Sequence, residues 1–152
     1  MAEVEWNGDE LLRDLMDGMD RGVRASAIEL EGEIKKTLTV PPARAGREYA
    51  IPKADGTPGS RRHRASAPGE PPAVLYNNLR ASITHNVSRN SGGIRGAVGP
   101  GADGPQAGYA EKLEDEMDRP YMRPTWDEHK QRLARIVLDE TAAHLRDKGW
   151  TK

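Results

Sequence analysis

The sequence predicts an α+β fold. Three observations carry this expectation: apolar residues at helical spacing near the N-terminus, a short alternating segment with a turn in mid-chain, and a second helical pattern toward the C-terminus. The expected order is a long N-terminal helix, a long Pro/Gly-rich arm, a small antiparallel sheet and a C-terminal helix packed on that sheet. The sheet is expected to hold a hairpin near 83–98 plus a further strand. The 152 residues are enough for one modest domain, so 1–152 is read as a single domain with the arm at 41–72 inserted in it.

The first helix is read from Leu11, Leu12, Leu15, Met16, Met19, Val23, Ala27, Leu30, Ile34 and Leu38, whose steps of three and four form one stripe. Asn7 followed by Glu10 fits a capping box, and Asp9, Glu10 and Asp14 suit the positive end of the helix dipole. Val40 precedes Pro41, which disfavours helix there. Gly18, Gly22 and Gly32 each weaken a helix by up to ~1 kcal/mol relative to Ala, so they are expected to serve close packing or a bend.

Residues 41–72 hold seven of the eleven prolines and four glycines. Arg44, Arg47, Lys53, Arg61, Arg62 and Arg64 outnumber Glu48, Asp55 and Glu70, and the only large apolar residues are Tyr49 and Ile51. Such a segment buries too little surface to fold alone, so it is read as an extended basic arm that orders against a partner.

Leu75, Leu79 and Ile83 predict a short helical turn, after which Ile83, His85 and Val87 alternate as in a half-buried strand. "NSGG" at 90–93 is the turn, and Ile94 to Val98 the returning strand. Tyr109 to Met117 fits either strand or helix. The last helix starts near Pro124 and ends at Gly149, with Trp126, Leu133, Ile136, Val137 and Leu145 as its apolar face.

No catalytic or cofactor motif stands out. The string G-x-G-x-x-G at 99–104 lacks the surrounding βαβ unit of a dinucleotide site, and Pro100 and Pro105 remove backbone donors. His63, His85, His129 and His144 show no metal-binding spacing; Glu140 and His144, four apart, are two ligands and not a site. Glu111, Glu114, Asp115, Glu116 and Asp118 form an acidic cluster of the kind that docks or is solvated, not a separated catalytic pair. The expectation is therefore no enzyme, no cofactor and no metal. With no cysteine, disulfides are excluded. A net charge of −1 argues against a bulk-charge nucleic-acid or membrane binder. The opening residues "MAEVEWNGDE" show no signal-peptide core, so the chain is expected to be intracellular or to end in a particle made inside a cell.

Three stretches read together resemble one family. They are "SAPGEPPAV" leading to "NLRASI", then "VGPGADGPQAGYAEKLE", then "RPYMRPTWDE". In this order they resemble the head–tail joining (neck, or tail-completion) proteins of long-tailed bacteriophages, often described as putative tail components and including relatives of the lambda minor tail protein Z. The matching positions are Leu79, Arg80, Ser82 and Ile83; Tyr109, Ala110, Leu113 and Glu114; and Arg119, Pro120, Arg123 and Pro124, followed by Trp126. The resemblance covers about residues 65–128. Two departures stand out: Asn77 and Asn78 replace the family's Thr-Gly, and "DEMD" follows Leu113-Glu114 where the family has an aromatic and Gly.

The resemblance implies a non-enzymatic virion protein, located in the tail or neck and in the host cytoplasm during assembly. It would form a ring of its own copies, six by family habit, around the DNA channel. Its partners would be itself and the neighbouring neck and tail-tube proteins, with non-specific contact to packaged DNA and no membrane. A ring needs two different surfaces of one chain to meet. Arg44, Arg47, Arg61, Arg62 and Arg64 on one side and Glu111, Glu114, Asp115 and Glu116 on the other are the expected interface. The alternative is a DNA-binding protein that uses the basic stretch 44–64.

Overall fold

The structure, a computed structural model, describes residues 7–101 and 106–150. The fold is α+β. A long helix α1 (Gly8–Thr37) is followed by strands β1 (Ala45–Pro52) and β2 (Pro58–Ser66), a short helix α2 (Asn78–Ser82) and strands β3 (Ile83–Asn90) and β4 (Gly93–Pro100). Helix α3 (Gln106–Glu111) runs into a π-helical turn at Lys112–Glu116, and α4 (Met122–Asp147) comes last. The strands form two separate two-stranded sheets, β1–β2 and β3–β4.

The irregular arm expected at 41–72 is corrected to a β-hairpin. Strands β1 and β2 pair antiparallel, with Glu48 opposite Arg64, Tyr49 opposite His63 and Ala50 opposite Arg62. The turn is built by Asp55-Gly56: Asp55 accepts from the backbone N–H of Thr57 at 2.9 Å and from its hydroxyl at 2.7 Å, and Gly56 takes φ +80°. Asp-Gly is a strong short-range hairpin signal. Two glycines that read as loop formers sit inside the strands, where the register shifts. A β-carbon on Gly46 would lie 2.2 Å from the carbonyl oxygen of Ser66, so the backbones meet where only glycine fits. At the base, Arg44 donates to the carboxylate of Glu70 (2.9 Å) and to the carbonyl of Pro68 (3.2 Å), while the N–H of Ala43 also donates to Glu70 (3.1 Å).

The expected third strand is also corrected. The stretch expected at Tyr109–Met117 is helical through Glu116: Ala110 and Leu113, three apart, are both buried, a helical spacing that strand alternation cannot supply. The string 99–104 lies partly outside the described residues.

Contacts divide the chain into two compact units, one from Met1–Glu29, His85–Ala97 and His129–Lys152, the other from Leu30–Thr84 and Val98–Glu128. In the first, α1 meets α4 through small residues. A β-carbon on Gly18 would lie 3.1 Å from the Cα of Thr141, and Ser26 donates its hydroxyl to the carbonyl of Leu133 at 2.6 Å. Gly18 and Gly22 thus serve close packing, whereas Gly32 has open space around it. Strand β4 approaches the same helix at Gly96, whose β-carbon would stand 3.0 Å from Val23. Gly149, at φ +83°, ends α4, and the N–H of Trp150 closes back on the carbonyl of Leu145 at 3.0 Å.

In the second unit the core is Ile34, Leu38, Ile83, Ala110, Leu113 and Tyr121, with Leu30, Leu79, Val98 and Met122 packed against it. Tyr121 is wholly buried and its hydroxyl has no hydrogen-bond partner among the described residues. Thr37 and Thr125 hydroxyls meet at 3.0 Å. The apolar face of α4 is offset from the expected one. Thr125, Leu133 and Thr141 are buried at intervals of eight, with Tyr121 buried just before the helix, and Trp126 is 48% exposed. The reading of Trp126 as a core residue is corrected: one residue on from Thr125 is about 100° around the helix.

Candidate functional site

The proline-rich approach leads to a cleft in the second unit. The cleft, about 170 Å³, is lined by the run Pro72–Arg80 together with Leu38 and Tyr109. Pro71 and Pro72 restrict the backbone before it, so less freedom is lost in holding this course. Asn77 then takes φ 60°, a left-handed conformation that Asn adopts more readily than most residues, and this starts α2. The departure from Thr-Gly therefore keeps the turn.

Within "NLRASI", each residue has a different task. Leu79 packs on the core and Ile83 lies in it. Ser82 donates its hydroxyl to the carbonyl of Leu79 at 2.7 Å. Arg80 lines the cleft, and its buried Nε has no acceptor among the described residues.

Three of the four tyrosines are exposed in this unit: Tyr49 at 42%, Tyr76 at 57% and Tyr109 at 46%. Tyr76 and Tyr109 line the cleft, and Tyr49 stacks edge-on against His63 with ring centroids 5.4 Å apart. Partial burial, reinforced by the phenols of Tyr109 and Tyr76, pushes the Tyr49 pKa up. Val74, also on the cleft wall, is exposed. Exposed tyrosines around an apolar recess are the composition of a protein interface: each offers large contact area with few rotatable bonds and a polar tip.

The expected charged interface residues divide into several groups. Arg44 is tied to Glu70. Arg62 and Arg64 share Glu48, at 3.9 and 3.0 Å. Arg47 and Arg61 are exposed on the hairpin with no ion pair among the described residues. On the acidic side, Glu111 and Glu116 are exposed, and Asp115 pairs with Arg123 at 3.3 Å. Glu114 is corrected from surface to support. Its carboxylate accepts the backbone N–H groups of Tyr121 (2.7 Å) and Met122 (2.5 Å) and so caps the start of α4. The π-helical turn is what permits this. Its N–H of Met117 bonds the carbonyl of Lys112, five residues back, which leaves Leu113 in the core and Glu114 turned to α4.

The "RPYMRP" stretch is held at both ends. Arg119 donates its side chain to the carbonyl of Met117 at 2.9 Å and its N–H to the carbonyl of Leu113 at 2.8 Å. Pro120 precedes the buried Tyr121, and Pro124 falls in the first turn of α4, where a missing N–H costs nothing. Asp118 takes φ 48° and accepts from the N–H of Gly69 at 2.7 Å, which joins this stretch to the base of the hairpin.

Tyr76 and Tyr121 were not singled out by the sequence reading. A tyrosine is equally at home in a core or at an interface, and local pattern does not separate 57% from 0% exposure. No helix among the described residues is long and apolar enough to cross a membrane. Comparison with protein-family models, curated proteins and solved structures gives no match.

Proposed function

We propose that this chain is a structural protein of a tailed bacteriophage that assembles through protein–protein contacts at the head–tail junction. The exposed tyrosine surface around the cleft is the observation that carries the reading. Val74, Tyr76 and Tyr109 are exposed on the walls of one cleft and Tyr49 is exposed on the first hairpin, and aromatic residues grouped at a recess are the kind that carry contact sites. The resemblance of residues 65–128 to neck proteins supplies the setting. Arg47 and Arg61 on the hairpin and Glu111 and Glu116 near the π-helical turn are the charges left to steer one copy onto the next. A ring closes when these two unlike surfaces meet repeatedly. The chain then acts by position and contact, with no catalytic step.

The DNA-binding alternative is weaker. Arg62 and Arg64 share one carboxylate, Glu48, which offsets a single charge, and Glu70 engages Arg44. Affinity for duplex DNA scales with the number of phosphates neutralised, and Arg47, Lys53 and Arg61, with the one charge Glu48 leaves over, are few beside the acidic run at 111–118 that repels phosphate.

Gold-labelled antibody against the chain, applied to tailed particles of the phage that makes it, tests the reading. Label at the junction of head and tail supports it. Label on the capsid shell or the distal tail, or none on the particle, opposes it.

A further inference from the structure

We infer that Asp14, Asp17 and His144 form a binding site for a divalent transition-metal ion, with Zn²⁺ the best match. The two aspartates stand three residues apart on one face of α1, and His144 comes from α4. One carboxylate oxygen from each aspartate and one imidazole nitrogen all lie within 4.8 Å of one another. Asp14 and His144 are buried, His144 to 5% exposure. The Nε2 of His144 is buried and has no hydrogen-bond partner among the described residues. A buried imidazole nitrogen without a partner is costly, and pairing it with a cation removes that cost.

The helices are shaped to allow the approach. A β-carbon on Gly18 would lie 3.2 Å from the Cβ of His144, so a side chain at this position would press on the carbon that carries the imidazole. Trp150 donates its indole N–H to Asp14 at 2.7 Å, the kind of second bond that orients a ligating carboxylate. In the sequence the carboxylate at helical spacing from His144 is Glu140, and the two alone make no site. The fold instead sets His144 against residues some 130 positions earlier, which no local spacing reveals.

The site's charges are presently met by Arg89 on Asp17 and by Lys148, 3.5 Å from Asp14. Arg89 and Asp17 are both partly exposed, and such a pair contributes little, whereas Lys148 reaches from solvent to the buried carboxylate of Asp14 and is the pairing an ion must displace. A metal ion held by three protein ligands outweighs them. Imidazole nitrogen with carboxylate oxygen suits Zn²⁺, whose ligand bonds are about 2.0–2.2 Å. Tetrahedral donors then stand ~3.4 Å apart, so the three side chains close inward by about 1 Å or more as Arg89 and Lys148 move out to water. The ion would tie α1 to α4 and leave one position for water.

The test is a Zn²⁺ titration of the full chain after chelator treatment, read by calorimetry and by tryptophan emission. Expected are one ion per chain, a rise in melting temperature and a change in emission that Trp150→Phe removes. His144→Ala and, separately, the milder Asp17→Asn should each weaken binding by about 100-fold or more, beyond the 10–100-fold typical of losing a group that only orients a ligand. His85→Ala, which alters a histidine outside the cluster, should not. Absence of Zn²⁺ binding in the parent, or binding that survives in His144→Ala and Asp17→Asn but falls in His85→Ala, overturns the assignment.

Discussion

Gly22 faces Val137 at a separation that no side chain can share. A β-carbon on Gly22 would lie 2.7 Å from both the Cα and the carbonyl oxygen of Val137. Two helices therefore touch backbone to backbone at this point. Gly22→Ala must push α4 away and should destabilise the chain by about 1–3 kcal/mol, as overpacking does. Gly32→Ala in the same helix meets open space and should stabilise it by about 1 kcal/mol, since Ala is the better helix former. Urea unfolding of the two variants checks the opposite signs. Two losses of equal size would refute the close approach.

Tyr121 offers a second contrast. Its ring fills the core of its unit, but its hydroxyl is buried without a partner, and burial pushes its pKa well above the usual tyrosine value. Removing only the hydroxyl should help: Tyr121→Phe is expected to stabilise by about 1 kcal/mol, because an unsatisfied buried donor is relieved. Tyr121→Ala should cost about 3–5 kcal/mol. Thermal unfolding distinguishes the two. A Phe variant less stable than the parent would mean that the hydroxyl is bonded after all.

Glu70 gives a pH dependence. The hydrogen bond from Arg44, helped by the N–H of Ala43, holds its carboxyl below the ordinary glutamate value of 4.5. A carboxylate with a lowered folded pKa stabilises the chain above the unfolded pKa and ceases to do so as pH falls through the folded value. Glu70→Gln should thus be less stable than the parent at neutral pH, and the gap should narrow as pH falls below the ordinary value of 4.5 and close once it passes the lowered folded value. Melting temperatures from pH 7 down to pH 3 test this; a gap independent of pH would show that the charge at Glu70 does nothing.

The tyrosine surface makes an assembly prediction. Tyr76→Ser combined with Tyr109→Ser should change the melting temperature of the monomer little, since both residues are about half exposed and lie outside the core. It should weaken self-association by about 30-fold, the effect of losing ~2 kcal/mol at an interface hot spot. Sedimentation at several concentrations reads the difference. Unaltered association in the double variant would remove these rings from the interface.

The sequence made the helices and the second hairpin legible because each carries its own periodicity. Leu30 and Ile34 on α1 and Leu38 just past its end repeat every four residues, and Ile83, His85 and Val87 alternate on β3. The first hairpin was hidden because its signals oppose each other. Asp55-Gly56 argues for a turn, whereas Pro52, Pro58, Gly46 and Gly59 argue against strands, and only the pairing across the hairpin shows that the glycines sit at its close approaches. Glu114 was misplaced for a related reason. In an acidic run, nothing local marks the one carboxylate that turns inward to cap a helix eight residues away. Trp126 was misplaced by one residue, enough to rotate it from the core to the surface. The tyrosine surface gathers residues from β1, the approach to α2 and α3, and so exists only once the chain is folded.

The central claim is that this chain joins heads to tails by occupying the junction. Its most direct test is to disrupt the coding sequence in the phage that carries it and to examine the lysate by electron microscopy, with the intact chain supplied in trans as the control. Full heads and complete tails that fail to join, restored to whole particles by the control, are the expected result. Whole, infectious particles in the absence of the chain would contradict the account.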